Sequence, residues 1–358
     1  MKPKSQKMTK VAIAGASGYS GEELVRLLLR HPEVEIVAVT SRQYAGKTCA
    51  EVFPKFAHVE AARHIPFILP DAEELARLAQ YVFLALPHGV AAELAVPLLE
   101  KGCRVLDLSA DFRLKSAETY LEFYGKEHPA PELLSLAVYG QPENYRSQLK
   151  NAKLVACAGC YPTSILVPLI PLLKAGLIKP EGIIADSLSG VSGAGRKADL
   201  GYIFCECNES ARPYGIPKHR HLSEIEQELS LAAAQKVVLQ FTPHLIPLNR
   251  GILTTLYVTP TTPVSCAQSA AESSQRLYQA YQNAYGKEPF IRIYGDQGLP
   301  DTKNTVMSNV VEIGWKVDPR TGRIILISSI DNLTRGASGQ AIQCFNLMAG
   351  YPESTGLL

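Results

Sequence analysis

A short apolar run, Val11–Ala14, meets GASGYSG at Gly15–Gly21 with no linker between them, and an amphipathic segment follows at once. In Glu22–Leu29 the apolar side chains Leu24, Val25, Leu28 and Leu29 fall at helical spacing. A strand that turns through glycines straight into a helix commits the chain to a parallel sheet with crossover helices. The rest of the first third keeps that rhythm. Val34–Thr40 reads as a second strand and Tyr81–Leu86 as a third; Val90–Lys101 reads as a helix stopped by Gly102, and Arg104–Leu108 as a fourth strand. These strands are continuously apolar, as parallel strands covered on both faces must be.

Each glycine of the turn has a task in a dinucleotide site. Gly15 turns sharply, Gly18 lets backbone approach a ligand, and Gly21 lets the helix pack closely on the strand. Ser17, Tyr19 and Ser20 complete the candidate cofactor turn, where helix-start amides favour a pyrophosphate. The spacing G-x-x-G-x-x-G is one residue longer at the front than the common fingerprint, and a purely structural turn is the alternative. The first domain is therefore predicted to be α/β and Rossmann-like, with a parallel sheet. Its second strand ends Val39-Thr40-Ser41-Arg42, without the carboxylate that would bind a ribose 2′-hydroxyl. Ser41 and Arg42 suit a 2′-phosphate instead, so the expected cofactor is NADP(H); a solvated loop arginine is the rival reading. Pro87-His88-Gly89 sits at the end of a parallel strand, where doubly wound sheets bind ligands, and is expected beside the cofactor. A loop histidine with no role is the alternative for His88.

Beyond about residue 160 the pattern changes. Val310–Val317 alternates, with Val311, Ile313, Trp315 and Val317 on one face and Glu312 and Lys316 on the other, as in an antiparallel sheet with one wet side. Val237–Phe241, Ile252–Val258 and Arg323–Ile330 are further strand candidates, Cys266–Tyr285 is a long helix ended at Gly286, and Gly339–Ala349 turns helical again. An α+β second domain with a mostly antiparallel sheet is predicted. At 358 residues the chain exceeds one ordinary core, which also favours two domains.

Composition removes several classes of function. Hydrophobic residues make up 46% and charged residues 20%, the balance of a soluble globular enzyme. A formal charge of +2 with no concentrated basic face argues against nucleic acid as a partner. No run approaches the roughly 20 apolar residues that cross a bilayer, so no membrane partner is expected. The basic MKPKSQKMTK has no apolar run behind it, which speaks against a signal peptide. Eight cysteines spread over such a chain read as reduced thiols in the cytoplasm.

One of those cysteines stands apart. The segment Leu154–Thr163 runs from a strand into a helix, with Pro162 suited to a first helical position and Ser164–Lys174 continuing as an apolar helix. Cys160 then lies just ahead of a helix N-terminus, which stabilises a thiolate. For the remaining cysteines the default is a small buried hydrophobe. Cys157 and Cys160 also form C-x-x-C, and Cys205-x-Cys207 with His219-x-His221 could be offered as the rest of a metal site. Cys157 falls on a buried strand and the spacing is not that of a zinc finger, so no metal is expected.

The segments GASGYSGEEL, LALPHG, DLSADFRL, AGCYPT, SGVSGAGR, HRH, LNRGILTT and DNLTRGASGQA occur in this order. In them the chain resembles the N-acetyl-gamma-glutamyl-phosphate reductase family, related to aspartate-semialdehyde dehydrogenase, over nearly its whole length. The resemblance implies NADPH-dependent conversion of a small acyl phosphate, N-acetyl-glutamyl 5-phosphate, to the 5-semialdehyde in arginine biosynthesis. It implies that Cys160 is the nucleophile and carries the acyl group as a thioester. It implies an NADP-binding domain of residues 1–159 with 334–358, closed by the last helix, and a catalytic, substrate and oligomerisation domain of residues 160–333. A homodimer or homotetramer built through the sheet of that second domain is implied as well.

A proton carrier is needed near such a nucleophile. His219 and His221 precede Ser223 and Glu226, which look like a capping box opening a helix, and Glu224 could orient whichever histidine serves. A surface basic cluster with Lys218 and Arg220 is the alternative. The substrate's anionic groups call for arginines, and Arg113, Arg196 and Arg250 are the candidates, each of which could equally form a structural ion pair. In the small-residue loop, whose amides could cradle an anion, Ser189 and Gly190 are assigned to the cofactor and Ser192 and Gly193 to the substrate. By resemblance alone Asn332 contacts the nicotinamide carboxamide. The rival activities are a carrier-linked aminoadipyl or glutamyl phosphate reductase, an aspartyl phosphate reductase, and a catalytically silent NADP-binding regulator.

Overall fold

The computed structural model describes residues 8–358. The chain forms two compact units, one running to Ala158 and rejoined by Ala337–Leu358, the other Gly159–Gly336.

In the first unit seven strands form one sheet: β1 (Thr9–Ala14), β2 (Val34–Thr40), β3 (Phe67–Ile68), β4 (Tyr81–Leu84), β5 (Arg104–Asp107), β6 (Val138–Gly140) and β7 (Leu154–Cys157). Their order is β3-β2-β1-β4-β5-β7-β6, and every pairing is parallel. The order reverses between β1 and β4, which is where a doubly wound sheet opens its ligand crevice. Alternate residues of β1 feed opposite cores. Val11 and Ile13 pack with Leu24, Val25, Ile342 and Phe345, from the helices Tyr19–Leu28 and Gly339–Ala349. Ala12 and Ala14 pack with Ala91, Ala92 and Ala95 of the helix Val90–Glu100, where small side chains on both sides allow a close approach. The late helix Gly339–Ala349 has the limits its pattern predicts, whereas the third strand stops at Leu84, two residues early.

The second unit holds β8 (Ile183–Ser189), β9 (Arg212–Pro213), β10 (Leu239–Leu245), β11 (Ile252–Val258), β12 (Ile291–Gly295), β13 (Val311–Asp318) and β14 (Arg323–Ile330), in the order β12-β13-β14-β11-β8-β10-β9. Four pairings are antiparallel, and β8 with β10 and β12 with β13 are parallel. The helix Cys160–Lys174 lies on one face, with Tyr161–Leu173 all buried. It contains Pro168 and Pro171, each of which lacks the N–H its turn requires. The two carbonyls left over are taken by hydroxyls from other elements: Ser328 on β14 donates to Ser164 O at 2.5 Å, and Tyr285 donates to Val167 O at 2.9 Å. On the opposite face Ile184, Leu188, Leu253, Tyr257, Ile325 and Ile327 are only half-buried.

Two strand expectations need correction. Glu312, expected on a wet face, is fully buried; it accepts from Arg292 Nη1 and Tyr294 OH at 2.8 Å, because β12 closes over that end of β13. The strand expected over Val237–Phe241 begins at Leu239 and runs on through Pro243 to Leu245. Pro243 is tolerated because its outer neighbour β9 has only two residues, so little of a ladder is lost there. Among the described residues no helix is long and apolar enough to cross a membrane.

Candidate functional site

The glycine turn of the first unit is shaped by atoms that are not there. Gly15 has φ +83°, and a Cβ on it would stand 2.4 Å from the carbonyl oxygen of Ala85. A Cβ on Gly21 would lie 2.4 Å from Gly15 O and 2.6 Å from Ala16 Cα, so helix and turn can touch only through glycine. At Gly18, the N-cap, the nearest atom to a Cβ would be 3.7 Å away, and no side chain caps the helix. Its first-turn amides are thus presented by backbone alone, an arrangement that fits a pyrophosphate. Neighbouring side chains fix the turn. Thr40 Oγ1 accepts from Gly15 N at 3.1 Å, Ser338 donates to Ser20 O at 2.8 Å, and Ser17 donates to Ser41 Oγ at 3.3 Å. Tyr19 is half-buried at the head of the helix, and Arg42 is exposed just past β2. Thr40 and Ser338 were invisible as turn-holding residues because each acts from a distant part of the chain.

Pro87, His88 and Gly89 follow β4, at the same reversal point. The DLSADFRL segment holds them. Ala110 N donates to His88 Nδ1 at 3.0 Å, and both carboxylate oxygens of Asp111 accept from Gly89 N, at 2.8 and 2.9 Å. Arg113 is buried and donates to Cys157 O and Leu108 O, each at 2.8 Å, which ties the end of β7 to this segment. Beside it Asp107 is fully buried. Loss of solvent and then the charge of Asp111 push its carboxyl up to about 7, against the opposing hydrogen bonds of Ser109 and the charge of Arg113.

In the second unit Cys160 is the first residue of its helix and Gly159 is the N-cap, so the helix starts earlier than Pro162 suggests. Pro162 is the third helical residue, where its missing N–H still breaks no intrahelical bond. Cys160 is half-buried. A Cβ on Gly336 would come within 2.6 Å of Cys160 Cβ, so this glycine of DNLTRGASGQA clears the space the cysteine occupies. The fully buried Glu224 accepts from Gly159 N at 2.8 Å, at the start of the same helix.

Both histidines belong to one aromatic cluster. The His219 ring centroid lies 5.0 Å from His221, 5.7 Å from Tyr161, 5.5 Å from Tyr214 and 5.5 Å from Phe241. Burial, assisted by Arg220, pulls the His219 pKa down to about 4. Its Nδ1 accepts from His221 N at 3.1 Å. The expected capping box is absent. His221 itself opens the helix, Ser223 donates back to Arg220 O, and Glu226 accepts from Leu239 N, because β10 runs alongside and claims that carboxylate.

The remaining candidates of this unit form a second cluster. Asn332 accepts from Gly251 N at 2.8 Å and donates to Ser192 Oγ at 3.0 Å. A Cβ on Gly193 would meet Ser189 Oγ at 3.3 Å, and one on Gly190 would meet Arg250 N at 2.8 Å. Arg250 donates to the buried Asp331 at 3.0 Å and to Thr334 at 2.9 Å. Arg196 is exposed in the loop beyond Gly195.

Two family models match the chain. One, described as the NAD binding domain of semialdehyde dehydrogenase, covers residues 10–152; the other, the dimerisation domain of semialdehyde dehydrogenase, covers residues 160–332. An N-acetyl-gamma-glutamyl-phosphate reductase from Akkermansia muciniphila is 53% identical over 98% of this chain and 99% of its own length. One from Moorella thermoacetica is 48% identical over 98% of each. Among solved structures, aspartate semialdehyde dehydrogenase II of Vibrio cholerae shares the fold with a TM-score of 0.70 at 17% identity, over 96% of this chain and 98% of that one. The Candida albicans aspartate semialdehyde dehydrogenase with NADP gives a TM-score of 0.66 at 16% identity, over the same shares.

Proposed function

The chain belongs to the semialdehyde dehydrogenase family, among its N-acetyl-gamma-glutamyl-phosphate reductases, and from that membership we propose that it reduces N-acetyl-glutamyl 5-phosphate to the 5-semialdehyde in arginine biosynthesis. The observation that carries the reading is Cys160, seated half-buried at the first position of a helix, in space that Gly336 leaves open. Its sulfur attacks the acyl carbon, the carbon–oxygen bond to phosphate breaks, and a thioester remains. Bound NADPH would supply a hydride to that carbon. A histidine acid protonates the resulting oxyanion and takes the same proton back as the thiohemiacetal collapses, which breaks the carbon–sulfur bond and leaves aldehyde and thiolate.

His221 is the residue that moves the proton. His219 receives a backbone N–H on Nδ1, so its own proton sits on Nε2, and with a pKa near 4 it stays neutral at neutral pH. Such a ring buttresses its neighbour and is a poor base. Glu224 fixes the start of the nucleophile's helix through Gly159 N. Arg196 and Arg250, with Ser192 and Gly193, are proposed to bind the substrate's anionic groups, and Asn332 with Ser189 and Gly190 to hold the nicotinamide end. Arg113, expected among the substrate arginines, is buried and bonded to the Cys157 and Leu108 carbonyls instead.

The first unit, with its closing helix, is proposed to bind NADP(H) through residues Gly15–Gly21, Pro87–Gly89, Ser41 and Arg42. The absence of a carboxylate at the end of β2 supports the 2′-phosphate over a free hydroxyl. The half-buried apolar face of the second sheet supports a homodimer or homotetramer assembled there. Eight cysteines spread along a chain of this size suit the cytoplasm.

The test is the reverse reaction with N-acetyl-glutamate 5-semialdehyde, phosphate and NADP. NADP is expected to exceed NAD by at least about tenfold in kcat/KM, and Cys160→Ser to lose roughly 10⁴-fold or more. Undiminished turnover by Cys160→Ser would overturn the mechanism. Aspartate semialdehyde outperforming the N-acetyl-glutamyl substrate would overturn the substrate.

A further inference from the structure

We infer that Asp111 is a positioning residue for the cofactor, acting through the Pro87–Gly89 loop; the inference rests on that loop contacting NADP(H), as proposed above. Asp111 is fully buried and touches the loop from below. Its two carboxylate oxygens take the amide of Gly89, and Oδ2 also accepts from Ala92 N at 3.0 Å. Gly89 is the N-cap of the helix Val90–Glu100 and has no side chain with which to cap it, so a carboxylate from another segment completes the helix start. The φ of Gly89 is +86°, a region open to glycine, and the carboxylate's bonds to its amide hold the bend there.

The residue before Asp111 holds the other half of the loop. Ala110 N donates to His88 Nδ1, so the imidazole accepts there and carries its proton on Nε2. One turn of backbone therefore sets both the bend at Gly89 and the tautomer of His88. The turn is itself braced. Tyr120 OH donates to Asp111 Oδ1 at 2.8 Å, and His128 Nε2 bonds the Asp111 carbonyl at 2.5 Å, with His128 Nδ1 accepting from Ala130 N. Tyr120 stacks on Tyr124 at 4.7 Å, and Tyr124 meets the His88 ring edge-on at 5.4 Å. The brace thus reaches His88 through aromatic contact as well as through Ala110.

An amide in place of the carboxylate would turn a donor toward the N–H groups of Gly89 and Ala92 and loosen the loop. The experiment compares wild type, Asp111→Asn and Tyr120→Phe by NADPH fluorescence titration and by steady-state kinetics, with near-ultraviolet circular dichroism confirming the fold. Asp111→Asn is expected to raise the NADPH Kd and KM roughly tenfold, and Tyr120→Phe about threefold, while kcat at saturating NADPH and KM for the acyl phosphate stay within about threefold. NADPH Kd unchanged in both variants overturns the inference, and so does a parallel loss in kcat and both KM values. If Asp111→Asn does not fold, an unchanged Kd in Tyr120→Phe overturns it alone. A wild-type protein that binds no NADPH defeats the proposed function as well; one that binds NADPH as well as its variants do defeats only this inference.

Discussion

In the glycine turn of the first unit the candidate ligand-facing groups are backbone amides, and what places them is the absence of side chains at Gly15 and Gly21. In the second unit the groups proposed for catalysis are side chains from separated segments, Cys160 from one helix start and His219 and His221 from another, and Gly336, beyond the last strand, leaves room for the first. The first kind of site is local and depends on conformations open only to glycine. The second exists only once the sheet has gathered its strands. A cofactor shared by many enzymes can be held by the first kind, whereas chemistry on one acyl group needs the second.

Substitutions should separate the two accordingly. The largest effect expected after that of Cys160→Ser is from His221→Asn, which should lower kcat by about 10²–10⁴-fold with little change in NADPH affinity; His219→Asn, removing a buttress, should lower it far less. Equal losses in a single-turnover assay would mean that the two histidines act as one unit. Next come two glycines. Gly336→Ala would push a methyl into Cys160 and is expected to lower kcat some 10- to 100-fold. Gly15→Ala, strained at positive φ and facing the Ala85 carbonyl, should raise the NADPH KM by a similar factor. A rise in the NADPH KM for Gly336→Ala matching that of Gly15→Ala would dissolve the contrast.

The smallest effect concerns pH. Between pH 4 and 7 the folded chain keeps a proton on Asp107 that the unfolded chain releases, so this group's contribution to stability falls as pH rises through that window. His219 has the opposite sign: between about pH 4 and 6.5 the unfolded chain binds the proton, so stability falls as pH drops. Urea midpoints from pH 5 to 8 should show Asp107→Asn gaining on wild type toward high pH and His219→Asn gaining toward low pH. Parallel trends for the two variants would show that one of these shifts has been given the wrong sign.

The same contrast explains what could be read in advance. Val11–Ala14, the glycine turn and the following helix are contiguous, and each states its conformation through local chemistry. Strand β8 escaped notice because its buried side carries Ala185, Ser187 and Ser189 while Leu188 faces outward, so hydropathy alternates in the wrong sense. Both hydroxyls are satisfied in place, Ser187 in a chain through Thr254 to Ser164 with both bonds at 2.8 Å, and Ser189 by donating to Gly190 O at 3.0 Å. Proline preference points to a helix start at Pro162, while Gly159 and the remote Glu224 carboxylate open the helix earlier, at Cys160. The capping box before His221 failed for a related reason, since Glu226 is bonded to β10. Asp111 and Ser338 carried no local sign of what they hold.

Pro168 and Pro171 have a consequence for when the helix start at Cys160 forms. Each interior proline costs a helix about 3 kcal/mol, and a borrowed hydroxyl returns about 1 kcal/mol of that. Cut off from Ser328 and Tyr285, the segment Cys160–Lys174 has little tendency to be helical at all. The helix start proposed above to serve Cys160 therefore forms only once β14 and the Ala267–Tyr285 helix are in place, so its order belongs to the whole second unit and not to its own segment.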